Sequence, residues 1–469
     1  MLTYTLRKND KKPLYEQLYT AIKADILNGQ LKPGEKLPSK RSLKDHLGIS
    51  IITIEAAYAQ LADEGYIVSE PKIGYFVQNI AKPAERPDVK LPIIKEHEKA
   101  VQPEAPMVFA DFTSNRADTE LFPFSIWARL LRRIISENPD GLLEKSEGCG
   151  IYSLRAAIAG HLSGFRGMSV SPDNIIIGAG TEYLYGLLIQ LLGHDRIYCV
   201  EDPGYSTIER IYTLNGASCV HAGMDEQGII PSVLSEKKAD IVHISPTHQF
   251  PTGITMPVAR RYELLGWAKE AEGRYIIEDD YDSEFRLGGK VLPPLFGMDG
   301  GDRVIYMNTF TKTLCSTIRI SYMILPDDLA ERYHKELGFY SCTVPNFEQY
   351  TLAAFISEGY FEKHINRSRL KYLKKREALI QGVKSSPLSS LVEINENDSG
   401  LHFIIKIKTE LGDDELCTAL LEKGIRIDPV SKYCTNDKER FLHSFIMSYS
   451  DISPELIPEI ILKLNEFML

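Results

Sequence analysis

The chain has 469 residues, of which 43% are hydrophobic and 25% charged, a composition typical of a soluble protein with room for two or three domains. Its seven cysteines are scattered without a CxxC pair, which argues against a disulfide framework or a zinc site and indicates reduced thiols in a cytoplasm. The N-terminus has no apolar signal-peptide segment, and no run approaches a membrane span.

Charge is unevenly distributed along the chain, whose net charge is −10. The first 80 residues contain 11 Lys and Arg against 9 Asp and Glu, whereas the remainder contains 43 against 55. An acidic body with a mildly basic N-terminal part predicts that any contact with nucleic acid is confined to that part.

Residues 1–79, which we call the head, carry the pattern of three helices followed by a hairpin. Apolar residues recur at helical spacing from Leu14, and Gly29 is placed to end this helix. Ser39 precedes a second short helix, and Ser50 is placed to cap a third. Two alternating segments, YIVSE and IGYFV, predict a short β-hairpin. This order favours a winged helix-turn-helix, whose third helix enters the major groove, over a small helical interaction domain.

The segments PLYEQLYTAIKADILNGQLKPGEKLPSKRSLKDHLGIS and AYAQLADEGYIVSEPKIGYFV closely resemble the DNA-binding domain of the GntR family. The resemblance implies that the partner of the head is a double-stranded DNA operator. The implied phosphate contacts come from Lys40, Arg41, Lys72 and Gly74, and the implied base contacts from Ser50, Ile51, Ile52 and Thr53. Ser39 is a further candidate DNA-binding residue. The family commonly has an arginine where this chain has Ile51, so we expect apolar contacts with thymine methyl groups. The alternative is that Ile52 packs into the core of the head.

Beyond the head, the pattern changes twice. Residues 80–107 are rich in proline and charge, which predicts a semi-extended linker. Residues 108–469, which we call the body, alternate strands with helices, and this predicts an α/β fold with a largely parallel sheet. The predicted strands are Ile175–Ile177, Ile197–Val200, Ile241–Ser245, Tyr275–Glu278, Val304–Met307 and Tyr322–Leu325. Ligands of such sheets bind at the carboxyl ends of the strands.

Polar and aromatic residues follow these strand ends in succession. Gly180 and Thr181 open a helix and offer backbone amides and a hydroxyl to a phosphate. Tyr205 lies on a proline-glycine bend after the next strand, and Asp279 ends a later one. Each feature has an ordinary explanation, such as a turn aromatic or a helix cap. Their occurrence at successive strand ends favours one common ligand.

Lys312 lies in the polar turn between the last two predicted strands. Partial burial lowers the pKa of an amine and makes it a candidate nucleophile. The neighbouring Thr309, Thr311 and Arg319 are suited to hold a phosphate. A reactive amine beside a phosphate site suits pyridoxal phosphate, which carries an aldehyde and a phosphate. A carboxylate can then hold the protonated ring nitrogen, while tyrosine and histidine bond the phenolic oxygen and an aromatic stacks on the ring.

The body resembles fold-type I pyridoxal-phosphate-dependent aminotransferases, and its fusion to the head resembles the MocR/GabR family of bacterial regulators. The segments that carry the resemblance are SPTHQFPTGITMPVARRYELLGWAKE, RYIIEDDYDSEFR and TFTKTLCSTIRISYMILP. It implies a smaller C-terminal subdomain at about 330–469 and a homodimer. It implies that the cofactor bonds to Lys312, with Asp279 at the pyridinium, Tyr281 and His248 at the phenolic oxygen, Tyr205 on the ring, and Gly180, Thr181, Thr309, Thr311 and Arg319 around the phosphate.

Two positions depart from the family pattern for binding an effector carboxylate. Lys432 stands in the region where aminotransferases usually place an arginine, and Thr207 stands where some relatives offer another. Lysine is a point charge that lacks the bidentate fork of arginine. We therefore expect a small neutral amino acid, a simple amine, or the cofactor itself as the effector.

Three functional hypotheses remain open on the sequence. The leading one is a cytoplasmic transcriptional regulator that binds DNA through the head and pyridoxal phosphate on Lys312. The second is a working aminotransferase with an accessory DNA-binding domain. The third is a vestigial body that serves only for dimerisation.

Overall fold

The computed structural model describes residues 2–7, 12–80, 108–114, 116–288, 292–396 and 400–468. The chain forms two compact units, Met1–Glu104 and Ala105–Leu469. Most of the predicted linker, from residue 81 to residue 107, lies outside the described residues.

The head has the predicted order of three helices and a hairpin. Its elements are α1 (Leu14–Leu27), α2 (Lys40–Leu47), α3 (Ile51–Asp63), β1 (Ile67–Glu70) and β2 (Gly74–Val77). The Ser39 Oγ accepts a hydrogen bond from the Ser42 amide at 3.1 Å, and the Ser50 Oγ accepts one from the Thr53 amide at 3.1 Å. These caps fix where α2 and α3 begin. The strands β1 and β2 pair antiparallel, which completes the winged helix-turn-helix.

One small core holds the head together. The fully buried side chains are contributed by all three helices and include Leu18, Ile22, Leu43, Ile54 and Leu61. Helical spacing in α1 and α3 therefore places one apolar face of each helix on this core, as the periodicity predicts.

The strands of the body form one large sheet and smaller ones. They are β3 (Ala110–Asp111), β4 (Ile175–Gly178), β5 (Ile197–Asp202), β6 (Ser218–Asp225), β7 (Gly228–Ile229), β8 (Ile241–Ile244), β9 (Tyr275–Asp279), β10 (Val304–Thr309), β11 (Ser321–Ile324), β12 (Val392–Asn395), β13 (His402–Ile407), β14 (Ile425–Arg426), β15 (Asp428–Pro429) and β16 (Ser444–Ser448). The eight-stranded sheet has the order β4-β11-β10-β9-β8-β5-β6-β7. Its central strands pair parallel, whereas β11 is antiparallel to both of its neighbours and β7 is antiparallel to β6.

Helices cover both faces of this sheet. The helices of the body are α4 (Phe124–Glu137), α5 (Pro139–Leu143), α6 (Tyr152–Arg166), α7 (Thr181–Leu192), α8 (Ser206–Leu214), α9 (Pro231–Glu236), α10 (Val258–Lys269), α11 (Leu295–Asp299), α12 (Phe310–Thr313), α13 (Asp327–Glu336), α14 (Asn346–Ser357), α15 (Tyr360–Lys384), α16 (Asp413–Glu422) and α17 (Ile457–Met468). In β4, Ile175 and Ile177 belong to one core cluster and Ile176 to the other. Burial on both faces explains why these strands are continuously apolar.

The C-terminal part of the body adds a four-stranded antiparallel sheet of order β12-β13-β16-β15. A separate two-stranded parallel pairing joins β3 to β14, with Asp111 opposite Arg426. Two segments more than 300 positions apart in the sequence thus meet, and both reach the cavity described below.

Among the residues that the structure describes, no helix combines the length and apolar character needed to span a membrane.

Candidate functional site

A cavity of about 490 Å³ lies at the carboxyl ends of the central strands of the large sheet. This is the edge at which the parallel topology predicts a ligand. The cavity brings together eight of the predicted site residues: Thr181, Tyr205, Asp279, Tyr281, Thr309, Thr311, Lys312 and Arg319.

Lys312 lies on the short helix α12, in the connection between the antiparallel strands β10 and β11. The flanking strand residues Met307 and Met323 are fully buried. Burial lowers the pKa of the Lys312 amine below its ordinary value, while the nearby Asp282 and Asp279 act in the opposite direction. A lowered pKa increases the neutral, nucleophilic fraction of the amine, as expected for a lysine that bonds an aldehyde.

Asp279 ends β9 and lies among buried polar side chains. The Tyr185 hydroxyl donates to Asp279 Oδ2 at 2.6 Å, and His243 Nε2 lies 3.5 Å from the same oxygen. His243 Nδ1 is in turn 2.6 Å from the Tyr212 hydroxyl. The other carboxylate oxygen, Oδ1, is buried and has no hydrogen-bond partner in the described structure. A buried unpaired carboxylate oxygen on the cavity wall fits the protonated ring nitrogen of pyridoxal phosphate.

Tyr281 lines the cavity, and its hydroxyl contacts His248, which lies outside the cavity lining. The Tyr281 hydroxyl lies 3.2 Å from His248 Nδ1, and that nitrogen lies 2.8 Å from Asp282 Oδ2. His248 is almost fully buried and does not line the cavity. Burial raises the pKa of the Tyr281 hydroxyl well above its ordinary value, so this hydroxyl stays protonated and can donate a hydrogen bond.

The predicted phosphate cradle is assembled from three segments of the chain. The Thr309 hydroxyl donates to the Thr311 hydroxyl at 2.9 Å beside the first turn of α7, which begins at Thr181. Arg319 reaches over Gly180: a Cβ built on that glycine would lie 2.3 Å from Arg319 Nη2. Gly180 also has a φ of +97°, so both its conformation and its neighbour require glycine. Hydroxyls, a guanidinium and a helix N-terminus are a donor set suited to a phosphate.

Tyr205 stands at the mouth of the cavity with about half of its surface exposed, and its ring lies edge-on to Phe250 at a centroid distance of 6.0 Å. Lys432 and Thr207 are not brought to the cavity. The side chain of Lys432 is 57% exposed, and its Nζ lies 2.8 Å from Asp428 Oδ1. The neighbouring Tyr433 lines the cavity in its place.

Sequence reasoning missed two arginines of the cavity wall, Arg116 and Arg426. Arg426 Nη1 lies 3.3 Å from Asp111 Oδ2, the residue opposite it in the pairing of β3 with β14. Since this pairing joins two short segments that are far apart in the sequence, no local pattern could reveal it.

Glu201 was also missed, although it immediately precedes the DPGY bend. It is buried on the cavity wall, and burial raises the pKa of its carboxyl to about 8. Its Oε2 accepts a hydrogen bond from the Ser245 amide at 3.2 Å, while Oε1 has no partner in the described structure. A glutamate at the end of a continuously apolar strand was the available signal, because such a position is buried.

In the head, most candidate DNA-contacting residues are exposed at the surface. The exposed residues are Ser39, Arg41, Ser50, Ile52 and Lys72, while Lys40, Ile51, Thr53 and Gly74 are half-buried. Ile52 is 73% exposed and therefore does not pack into the core. The Lys40 Nζ lies 3.3 Å from Glu55 Oε1 and 5.4 Å from the centre of the Tyr75 ring.

Comparison with protein families gives one family match in each of the two units. Residues 14–77 match the family of bacterial regulatory proteins named gntR, and residues 111–445 match the aminotransferase class I and II family. The second match covers more than half of the chain.

Full-length relatives carry both units. The chain is 38% identical to the HTH-type transcriptional regulator YdeL of Bacillus subtilis, over 89% of each chain. It is 30% identical to the probable rhizopine catabolism regulatory protein MocR of Rhizobium meliloti, over 95% of this chain and 92% of the relative. It is 30% identical to the pyridoxine biosynthesis transcriptional regulator PdxR of Corynebacterium glutamicum, over 92% and 91%.

Solved structures share the fold of the body. An archaeal alanine:glyoxylate aminotransferase superimposes with a TM-score of 0.68 at 24% identity, covering 76% of this chain and 90% of the enzyme. The kynurenine aminotransferase of Pyrococcus horikoshii gives a TM-score of 0.66 at 23% identity, covering 77% and 91%. At this identity the likeness concerns the fold alone, and it confirms the predicted fold-type I architecture.

Proposed function

Since the chain belongs to the MocR-type transcriptional regulators, which join a gntR-family DNA-binding domain to an aminotransferase class I and II domain, we propose that its body binds pyridoxal phosphate at Lys312 and passes ligand binding on to the DNA-binding head. The relatives described above are transcriptional regulators by name, which favours regulation over the rival hypothesis of a working aminotransferase. The proposal includes a cytoplasmic location and a homodimer.

One observation carries the cofactor assignment. A single cavity holds an amine of lowered pKa, a buried carboxylate oxygen without a partner, and a cluster of phosphate-binding donors. Those three features match the aldehyde, the ring nitrogen and the phosphate of pyridoxal phosphate. A structural lysine or a structural aspartate would explain each feature alone, but not their presence on one cavity wall.

The proposal gives a specific role to each of the residues around the cofactor. Lys312 offers its amine to the aldehyde, and Asp279, held by Tyr185, keeps the ring nitrogen protonated. Tyr281 donates its hydroxyl to the phenolic oxygen, while His248 and Asp282 fix its orientation. The bound cofactor supplies an electrophilic carbon that an amine can attack and a ring that withdraws electrons.

We propose an amine or amino acid, or the cofactor itself, as the signal. The presence of Arg116 and Arg426 on the cavity wall supports a ligand with a carboxylate, since a guanidinium binds carboxylates through two parallel hydrogen bonds. Because Lys432 does not line the cavity, the presence of lysine in place of arginine at this position no longer argues for a neutral ligand. A ligand acts as a signal only through different affinities for two states of the protein.

The test uses the full chain and a Lys312→Ala variant. Titration with pyridoxal phosphate should give the wild type a visible absorption band and, after borohydride reduction, a label on the peptide that contains Lys312. The variant should show neither. A band that reduction fixes to another lysine would overturn the assignment.

The regulatory half of the proposal needs DNA. Duplexes selected by the wild-type chain from a random-sequence pool provide a probe, and their affinity should change when pyridoxal phosphate and a panel of amino acids are added. Robust conversion of an amino acid with 2-oxoglutarate, together with an unchanged DNA affinity, would instead favour the aminotransferase hypothesis.

A further inference from the structure

Glu182 and Arg319 contact each other at the edge of the cavity. Both residues line it, and Glu182 is the second residue of α7, directly after Thr181 of the phosphate cradle. The Arg319 Nη2 donates a hydrogen bond to Glu182 Oε2. Their side chains are 46% and 53% exposed, so solvent and ligands can reach both. The candidate phosphate-binding guanidinium therefore already has an anionic partner in the chain.

The position of Arg319 is set by the backbone around it. Arg319 has a φ of +48°, which is uncommon for a residue with a side chain, and its guanidinium lies directly over Gly180. Glu182 is less constrained, because Arg319 is its only hydrogen-bond partner within the described part of the chain. We therefore expect Glu182 to be the group that moves when a second anion approaches.

A phosphate monoester and the Glu182 carboxylate compete for N–H groups of the same guanidinium. The phosphate carries a charge of about −1.5 to −2 near neutral pH and binds a guanidinium best through two parallel hydrogen bonds, whereas Glu182 already accepts one from Nη2 of Arg319. If Glu182 stays, its charge repels the phosphate; if it leaves, its hydrogen bond to Arg319 is lost. Either way the presence of Glu182 weakens phosphate binding.

Building on the cofactor site proposed above, we propose that Glu182 is an affinity-setting residue whose carboxylate competes with the cofactor phosphate for Arg319. The competition keeps the cofactor exchangeable, so that occupancy of the site follows the concentration of free cofactor. In an enzyme that retains its cofactor, such a competitor would be a disadvantage. In a regulator, it lets the fraction of protein with bound cofactor change with the cofactor concentration, and this fraction can act as a signal.

The alternative is that Glu182 serves only the stability of α7. An acidic residue in the first turn interacts favourably with the positive end of the helix dipole, whatever binds nearby. The two roles differ in what a neutral replacement does: loss of a dipole partner lowers thermal stability, whereas loss of a competitor tightens binding of phosphate-bearing ligands alone.

The experiment compares pyridoxal phosphate with pyridoxal, which lacks the phosphate. The full chain is freed of cofactor, and both ligands are titrated into wild type, Glu182→Gln and Glu362→Gln by absorbance. Glu362 is a matched control, because it is an exposed acid in the first turn of α15 and is not among the cavity residues. Inorganic phosphate is titrated calorimetrically as a third ligand.

We expect Glu182→Gln to bind pyridoxal phosphate about 10-fold more tightly, equivalent to about 1.4 kcal/mol. Inorganic phosphate should also bind more tightly, and the affinity for pyridoxal should stay within about twofold. The Glu362→Gln variant should match the wild type for all three ligands. An unchanged or weaker affinity of Glu182→Gln for pyridoxal phosphate, or an equal gain for pyridoxal, would overturn the role of Glu182.

Failure of the cofactor site itself would look different. If the wild type binds neither pyridoxal phosphate nor pyridoxal, the proposed function fails, and the role of Glu182 fails with it. If Lys312 is labelled in wild type and variant alike but their affinities agree, only the role of Glu182 is lost. A lowered melting temperature of Glu182→Gln without any change in affinity would establish the purely structural role.

Discussion

In the head, the candidate DNA-contacting side chains Arg41, Ile52 and Lys72 stand exposed at the surface, whereas in the cavity of the body the buried Asp279 accepts a hydrogen bond from Tyr185 and lies 3.5 Å from His243. Exposed charges act nearly independently in water and are screened by salt. Buried polar groups depend on one another, because each one that loses its partner retains the cost of its desolvation. We therefore expect graded, salt-dependent effects in the head and large, coupled effects in the cavity.

The largest expected effect is that of Asp279→Ala on cofactor affinity. This change removes the proposed partner of the ring nitrogen and leaves the Tyr185 hydroxyl without its acceptor. Breaking a buried charged interaction costs about 3–5 kcal/mol, so the affinity for pyridoxal phosphate should fall by about two to four orders of magnitude. Absorbance titration with pyridoxal phosphate measures this loss of affinity.

Tyr185→Phe sharpens this test, because it removes one donor to Asp279 and keeps the carboxylate. A buried hydrogen bond to a charged group contributes about 1.5–3 kcal/mol, so the loss should be clearly smaller than that of Asp279→Ala. Equal losses in the two variants would show that the Asp279 carboxylate contributes nothing without the hydrogen bond from Tyr185.

The next largest effect concerns the head, through the double change Lys40→Ala/Arg41→Ala. Phosphate contacts supply most of the salt-dependent affinity for DNA, and each one removed lowers the slope of log affinity against log salt by about 0.9. We expect a loss of about 10- to 100-fold at low salt and a flatter salt dependence. Gel-shift titrations at several salt concentrations provide the measurement.

Because Lys40 also lies close to Glu55 and Tyr75, the matched control is Lys44→Ala, an exposed lysine of the same helix. An unchanged salt slope in the double variant would remove Lys40 and Arg41 from the DNA interface. Cofactor affinity should be the same in all these variants; a change there would contradict the independence of the head's surface residues.

A third effect is a pH dependence confined to the body. Burial raises the pKa of Glu201 to about 8, from 4.5 in the unfolded chain, so the folded state holds a proton that the unfolded state releases. The free energy of unfolding should therefore decrease as pH rises from about 4.5 to about 8, by at most about 1.4 kcal/mol per pH unit for this group. Denaturant unfolding across this pH range would show the decline.

Glu201→Gln isolates this contribution, since the amide is neutral at every pH and its oxygen can still accept from the Ser245 amide. Glu278 and Glu284, with pKa values raised to about 7, have the same sign and remain in both proteins. The stability gained by the variant over the wild type should thus grow with pH. A constant difference would show that Glu201 does not titrate in this range.

The two regions also differ in how much of them the sequence could predict. In the head, capping serines, apolar periodicity and a short hairpin are local signals, and each predicted element is present. In the large sheet, continuously apolar strands predict the strand ends, which explains why Asp279 and Lys312 were found. The missed strand β6 has a mixed burial pattern and lies toward the sheet edge, so its apolar signal is weaker.

What the sequence could not give depends on contacts between distant segments. Arg426 reaches the cavity on β14, which pairs with β3, whereas Lys432 does not line the cavity and its amine lies 2.8 Å from Asp428, four residues earlier. A sequence motif predicts the residue type at position 432, but it does not predict which side chains of the short 3₁₀ turn Val430–Tyr433 reach the cavity. The proposed effector residues were for this reason harder to predict than the proposed cofactor residues, most of which lie at or near the ends of regular strands.

The smallest expected effect is at the tip of α3. Ile52 is 73% exposed at the N-terminal end of α3, directly after the capping Ser50 and Ile51. A winged helix-turn-helix places this helix in the major groove. Its side chain has no hydrogen bond to offer a base, but the C5-methyl group of thymine presents an apolar surface in that groove. A methyl-sized apolar contact is worth about 0.8 kcal/mol, so replacing one contacted thymine with uracil should weaken binding about fourfold.

Position-by-position replacement of thymine with uracil in the selected duplex provides the measurement, and Ile52→Ala provides the matched protein change. If Ile52 contacts a thymine methyl, the variant should lose affinity for the thymine duplex and be insensitive to uracil at that one position. Half-buried Ile51 should contribute less, because part of its surface already contacts the head. Equal sensitivity of wild type and Ile52→Ala to uracil at every position would exclude apolar readout by this residue. The effect is small because the contact removes from water only the apolar area of Ile52 that one methyl group covers.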